Sequence, residues 1–358
     1  MAKRYRLHAD CIAVRGYRNC VVCDTSQQDV FSISENAYSA MADGNLIDPK
    51  MFDAVELDAL ISNNLVYECP LEVADLFPPM PADIPHPMAI KTAIVEFDAQ
   101  KKYDINSIIV QLSTLGCGHL QFWTHTDVGF DAINALLASI DGKNIINVDV
   151  VLRHDCNDLT ALAARYPFVF SITAYDAPRT GIKKHACCNI FSTTETFKGA
   201  EQCGVVAPNQ FVCNREFFFL SANHNTCLYR KLSIDREGYI RNCPASPQHF
   251  GRVGEVSLAE AMAHPDFSRL WGITKEQVDV CCHCEFRRIC PDCRVFTHQP
   301  ERPTAHPARC TYNPYLARWQ GQPGYAPVEQ CGTFTPQGFQ PDAERIERLL
   351  RERPEVSG

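Results

Sequence analysis

The chain is predicted to be α/β, with a small strand-and-helix unit first, a partial barrel of βα units next and a cysteine-rich domain last. Three observations predict this. β-Branched strands and then helices precede a proline-rich link, strand–helix alternation follows the link, and Cys, Pro and Gly rise later as apolar periodicity fades. With 358 residues, 46% of them apolar, the chain is long enough for two or three separate cores.

Residues 1–80 open with "YRLHADCIAVRG", "NCVVCD" and "DVFSI". Their alternating or β-branched apolar residues, separated by Gly16 and the polar "TSQQ", predict a three-stranded meander. Helical spacing follows. Ser34 or Asn36 can cap "ENAYSAMADG", and "PKMFDAVELDALISNN" sets Phe52, Val55, Leu57, Leu60 and Ile61 near one face before Asn63 and Asn64 stop it. Five prolines between Pro78 and Pro87 resist both helix and sheet and mark a domain boundary.

Residues 88–204 alternate in type. "MAIKTAIVEF", "HLQFWTH", "NVDVVL" and "FVFSITAYDA" read as strands, and "DINSIIVQLSTLG", "VGFDAINALLASI" and "DLTALAARYP" read as the helices between them. Such alternation predicts parallel βα units, as an open sheet or a partial barrel. Residues 205–318 read as loops organised by something other than a large core. The tail, 319–358, reads as turn-rich and poorly ordered, with one charged helix in "DAERIERLLRER".

A formal net charge of −8 argues against nucleic acid as a partner, because counterion release needs clustered Lys and Arg. The opening "MAKRYRLHADC" has no apolar signal region and no run of eighteen apolar residues occurs, so the expectation is a cytoplasmic protein without a membrane partner. In a reducing compartment nineteen cysteines do not predict a disulfide framework. A dense cluster of them predicts metal.

That cluster is "CCHCEFRRICPDCR", with Cys281, Cys282, Cys284, Cys290 and Cys293 in thirteen positions, followed by Cys310. Upstream stand Cys227 and Cys243, the latter at the end of "LSIDREGYIRNCP", which predicts a hairpin turning at Glu237-Gly238. Thiolates two residues apart can converge on one zinc ion or one iron–sulfur cube. Even without Cys282, the remaining seven cysteines exceed one four-ligand site, so two sites are expected, and the spacing does not separate zinc from iron.

The series Cys227-x10-Gly238-x4-Cys243, Cys281-x2-Cys284-x5-Cys290-x2-Cys293 and Cys310 resembles the seven-cysteine SPASM domain, the auxiliary iron–sulfur module of radical-SAM peptide-modifying enzymes. It departs from that pattern in having two residues, Pro291 and Asp292, where three are usual. The resemblance implies two 4Fe-4S clusters. One would be held by Cys227, Cys243 and Cys293, with Cys282, His224 or Cys213 completing it or the position left open. The other would be held by Cys281, Cys284, Cys290 and Cys310.

A radical-SAM barrel should carry C-x3-C-x2-C after its first strand, yet "DAQKKYDINSIIVQL" has no cysteine. Thr124, His125, Thr126 and Asp127 stand where such enzymes carry a "GGEP"-like segment. The middle domain therefore resembles a radical-SAM-like scaffold without its cluster loop, and S-adenosylmethionine is not expected as a cofactor. Cys11, Cys20 and Cys23, the nearest substitute triad, read as packing residues, as do Cys117, Cys187 and Cys188. His119 and His125 read as strand-end histidines satisfied by local bonds.

A SPASM module on such a scaffold resembles the maturases of grasp-with-spasm peptide-modification systems, most specifically in "HNTCLYRKLSIDREGYIRNCP", "CEFRRICPDCR" and "CTYNPYLARW". The resemblance implies a ribosomal precursor peptide and an ATP-grasp ligase as partners. The winged-helix-like first domain resembles precursor-recognition elements that add a leader peptide as a strand, with the edge in "DVFSI", the facing helix in "AVELDALISN" and Val30, Phe31 and Leu60 as contacts. No Gly-rich nucleotide loop, catalytic triad or well-spaced carboxylate pair is evident, so an accessory, non-catalytic adaptor is expected. The alternative is a peptide-modifying enzyme, with the open cluster as a redox or Lewis-acid centre, or an atypical radical-SAM enzyme.

Overall fold

The structure, a computed structural model, describes residues 4–41, 46–76, 80, 87–100, 102–155 and 158–352. Of the proline-rich link from Pro78 to Pro87, only Met80 and Pro87 lie among them. The chain forms two compact units of interleaved segments: 1–84, 204–227 and 272–358 in one, 85–203 and 228–271 in the other.

The first unit starts with β1 (Tyr5–Leu7), β2 (Cys11–Arg15), β3 (Cys20–Asp24), β4 (Asp29–Ile33), α1 (Glu35–Met41), α2 (Ala54–Ser62) and β5 (Val66–Glu68). β2, β3 and β4 form the antiparallel meander, while β1 pairs with β5. Ser34 caps α1 by accepting from the Ala37 N–H, and Asp53 caps α2 by accepting from Val55. Central β3 is buried along its whole length because both faces are covered. Val22 packs with Cys11, Ala37, Met41 and Leu60 on one side, and Val21 and Cys23 pack with Cys213, Phe218, Phe219 and Ile289 on the other. The face expected on α2 is only partly used: Leu60 is 3% exposed, but Val55 is 78% exposed.

The second unit is built on β6 (Thr92–Phe97), α3 (Ile105–Thr114), β7 (His119–Thr124), α4 (Phe130–Ala138), β8 (Asn147–Arg153), α5 (Leu159–Arg165) and β9 (Val169–Tyr175). A hairpin of β10 (Gly181–His185) and β11 (Cys188–Ser192) follows. After α6 (Arg215–Asn223), which belongs to the first unit, the chain returns with β12 (Lys231–Ile234), β13 (Ile240–Arg241) and α7 (Leu258–Ala263). The eight strands make one mostly parallel sheet in the order β10-β11-β9-β8-β7-β6-β12-β13, with an antiparallel strand at each edge. The alternation legible in the sequence thus appears as an open sheet.

Period-two alternation divides this sheet into two faces. Ala93, Val95, Leu120, Phe122, Val148, Val150 and Ile172 point to the side where α3, α4, α5 and α7 pack. The opposite face carries polar groups at the alternate positions: the His119 ring and the Ser171 hydroxyl both reach the Asp149 carboxylate, at 2.7 and 2.6 Å. These contacts hold Asp149 below the usual carboxylate range, overcoming burial, which acts the other way.

The chain ends in the first unit with β14 (Tyr312–Asn313), β15 (Arg318–Trp319), β16 (Gly332–Thr335), β17 (Gly338–Pro341) and α8 (Ala343–Glu352). The expectation of a poorly ordered tail is corrected here. Val328, Cys331, Ile346 and Leu349 close over Val280, Tyr315 and Leu316 in a small core of their own. The turn-rich stretch lacks long-range periodicity, so its core was not visible as a pattern.

Candidate metal centre

Few regular elements build the cysteine-rich part of the first unit; short-range bonds hold it. Cys281, Cys282 and His283 form one turn of 3-10 helix, and the Cys284 N–H donates back to the Cys281 carbonyl at 2.9 Å. Glu285 is fully buried, with the Tyr312 hydroxyl donating to Oε1 at 2.5 Å. Burial pushes its carboxyl up. A Cβ at Gly16 would stand 2.7 Å from Glu285 Oε2, so glycine is needed in the β2–β3 turn, and Arg287 Nη1 donates to the neighbouring Arg15 carbonyl at 2.6 Å. The N-terminal meander thereby clamps the segment that carries Cys284.

Cys281, Cys284, Cys290 and Cys310 line a single cavity, together with Lys275, His306 and an apolar wall including Phe211, Phe286 and Trp319. Its space between atoms is about 350 Å³, the part open to solvent included. Burial pushes all four thiols up, Cys310 to about 11, with the Cys290 charge adding to the effect there. Lys275 acts against burial at Cys281 and Cys290. Its Nζ donates to Cys290 Sγ at 2.9 Å, and the residue is 6% exposed. Burial would lower the lysine, but the sulfurs of Cys290 and Cys281 outweigh it and raise the ammonium above its ordinary value. His306 Nδ1 lies 3.7 Å from Cys281 Sγ, and burial pushes its ring well below the ordinary range.

Among the described residues, no three His, Cys, Asp or Glu side chains converge tightly enough to hold one metal ion. The four residues line one space without converging on a single point. A zinc ion bonded to four thiolates at about 2.3 Å would require sulfurs about 3.8 Å apart in a tetrahedron. A cube of iron and sulfide stands its ligand sulfurs farther apart, so the four-cysteine donor set suits that group better than a single ion.

Cys227 and Cys293 are neighbours through a buried polar relay. The Asn225 side chain accepts from the Cys227 N–H at 3.0 Å and donates to Asp292 Oδ2 at 2.6 Å, while Arg294 Nη2 donates to Asp292 Oδ1 at 2.6 Å. Asp292, one of the two residues in the shortened spacer, therefore ties the two cysteine segments together. Burial raises the Cys293 thiol, and the backbone N–H of Phe296, 3.4 Å away, counters it. Gly204, at φ 81°, passes so close that a Cβ would lie 3.0 Å from Cys293 Sγ.

The remaining candidates sit on different elements. Cys243 lies just beyond β13 and belongs to the sheet unit. The predicted hairpin is present, with the turn at Gly238 (φ 87°) and Asp235 accepting from the Glu237 and Tyr239 N–H groups. Cys282 is only partly buried and does not line the four-cysteine cavity. His224 caps the end of α6. Cys213 packs against the N-terminal sheet and donates to the carbonyls of Asp24 and Asp29. Cys11, Cys20, Cys23, Cys117 and Cys188 are buried, while Cys187 is exposed. Val30 and Phe31 are half-buried on β4, which pairs on one side only, and Leu60 is inside the core. Lys275 and His306 were not visible as candidates, because neither lies on a periodic element or within the cysteine run.

No family model and no curated protein matches the sequence. A solved structure shows a distant likeness to the chain. It is that of SuiB from Streptococcus suis, with a TM-score of 0.39 and 11% identity over 85% of this chain and 99% of that chain.

Proposed function

We propose that the protein is an iron–sulfur accessory factor in the modification of a ribosomally made peptide, binding the precursor's leader and presenting the rest to an ATP-grasp ligase. The observation that carries the metal part of the reading is the set of Cys281, Cys284, Cys290 and Cys310 around one cavity with a buried lysine. These residues would hold a 4Fe-4S cluster, which supplies redox capacity and rigidity where it binds; Cys227 and Cys293 are candidate ligands of a second. The leader-binding part draws support from the open edge of β4 beside α2, whose exposed Val55 and Ile61 replace Leu60 as the candidate apolar contacts.

Anaerobic purification with iron, sulfide and zinc analysis tests the reading. About four irons and four sulfides per cluster, with broad absorption near 400 nm, are expected. Zinc at full occupancy without iron would overturn it. Titration with a synthetic leader peptide of a grasp-with-spasm precursor should show binding that Phe31→Asp weakens at least tenfold.

One observation favours a second reading, in which the protein modifies the peptide itself. Ligands of open α/β sheets bind at the carboxyl ends of the strands. There, His125 Nε2 lies 3.2 Å from Glu96 Oε2 without hydrogen-bond alignment, and Phe197 stacks on the His125 ring. The buried hydroxyls of Thr124 and Tyr175 face one another and meet no other hydrogen-bonding group among the described residues. A buried histidine near a carboxylate and unsatisfied hydroxyls can exchange a proton with a bound substrate. Turnover of the precursor by the protein without the ligase, abolished in His125→Ala, would establish this reading over the adaptor.

A further inference from the structure

Lys275 is a buried cation whose direct partner is a sulfur. It is almost fully buried, yet among the described residues its hydrogen-bond acceptor is a sulfur, Cys290 Sγ at 2.9 Å, and no carboxylate forms an ion pair with it. The nearest candidate anion, Asp292, is already committed on both oxygens, to Arg294 Nη2 and Asn225 Nδ2, each at 2.6 Å. A buried ammonium needs an anion, and a neutral thiol is a poor one. The same lysine shares its cavity with Cys281, Cys284 and Cys310. Four thiolates on an iron–sulfur core make a net anion, because their charge exceeds that of the core. The missing counter-charge and the cavity are therefore complementary.

We infer that Lys275 is the built-in counter-ion of the four-cysteine site, setting both the retention and the reduction potential of the anionic metal–sulfur group held there. It acts through the Cys290 sulfur, as a positioning residue and not as a ligand. Hydrogen bonds to cluster sulfurs and nearby charge tune such potentials. A fixed positive charge favours the reduced form, which carries one more electron. The inference rests on the iron–sulfur reading and extends it to a residue outside the cysteine pattern.

The test uses the full chain, purified anaerobically, as wild type, Lys275→Met and Lys275→Arg. A redox titration follows the electron paramagnetic resonance signal that Cys284→Ala removes. In Lys275→Met the midpoint should move to a more negative value by at least the equivalent of a tenfold change in the oxidised-to-reduced ratio, 59 mV for one electron. Lys275→Arg should stay close to wild type. Loss of about half the iron in Lys275→Met with full iron in Lys275→Arg supports the same conclusion, since arginine keeps the positive charge that methionine removes. An unchanged midpoint with full iron in Lys275→Met overturns the inference. So does equal loss of iron in both variants, which would make the lysine a packing residue. Wild-type protein with zinc and no iron would instead overturn the iron–sulfur reading, before either variant is compared.

Discussion

The sheet unit and the cysteine-rich part of the other unit reach order by different routes. The eight-stranded sheet has a continuous apolar core running from Ile90 to Phe267, in which alternate strand residues meet four helices. The segment from Gly272 to Cys310 contains one turn of 3-10 helix and no described strand, and its interior holds Lys275, Glu285, Asp292, Arg294 and His306. Hydrophobic burial alone suffices for the first. The second buries charge and thiols that are stable only with partners of matching charge, so its stability is expected to depend on what the sulfurs hold.

Removing the proposed metal–sulfur group is the largest perturbation of that contrast. Chelation, or Cys284→Ala, should leave residues 272–310 open to protease and amide exchange within seconds while amides of β7 and β8 remain protected, as hydrogen-exchange mass spectrometry would show. Equal loss of protection in both regions would mean that the sheet has no independent stability. The reciprocal perturbation is Phe122→Ala. It should cost about 3–5 kcal/mol in denaturant unfolding of the sheet unit, by removing a fully buried ring, while iron content per folded molecule stays constant.

Asp292→Ala tests the polar interior more finely. It strands Arg294, whose side chain is 0% exposed, and should cost about 3–5 kcal/mol, with Cys227 and Cys293 drifting apart. Metal-free protein should lose stability as pH rises above about 9. Cys310 and Cys117 titrate in the folded state at about 11 and about 12, so between their ordinary and folded values the unfolded chain has released protons that the folded one keeps. Their stabilisation is therefore complete below pH 9 and lost toward pH 12. In metal-loaded protein the Cys310 share of that decline should vanish, which thermal melts at stepped pH would reveal. The smallest effect is expected at Ser257, whose capping box with Glu260 starts α7: Ser257→Ala should cost about 1 kcal/mol and leave the metal site untouched.

The same contrast explains what the sequence made legible. Every strand and helix from β6 to β9 stood out, because long periodic segments buried on one side leave a repeating mark. β2, β3 and β4 and their meander were equally plain. The tail core around Val280, Tyr315 and Leu349 was not, because its contacts join short irregular pieces. At the site, the spacing of Cys281, Cys284, Cys290 and Cys310 pointed to a shared centre, and the fold brings those four to one cavity. Lys275, Asp292 and His306 left no local mark, since a buried charge is recognised only by the partners that three-dimensional packing supplies.

The first unit is assembled from three stretches of chain separated by the whole of the second. Translation therefore delivers β2, β3 and β4 long before their partners: one face of β3 waits for Cys213, Phe218 and Phe219, then for Ile289. During that interval the nascent meander presents Val21 and Cys23 uncovered, while the sheet that follows can pair its own strands as they emerge. A fragment ending near Trp271 would contain a complete second unit and a permanently unfinished first one. Such a fragment should aggregate through its N-terminal sheet, and synthesis of the full chain should be most exposed to chaperone capture before Ile289 leaves the ribosome.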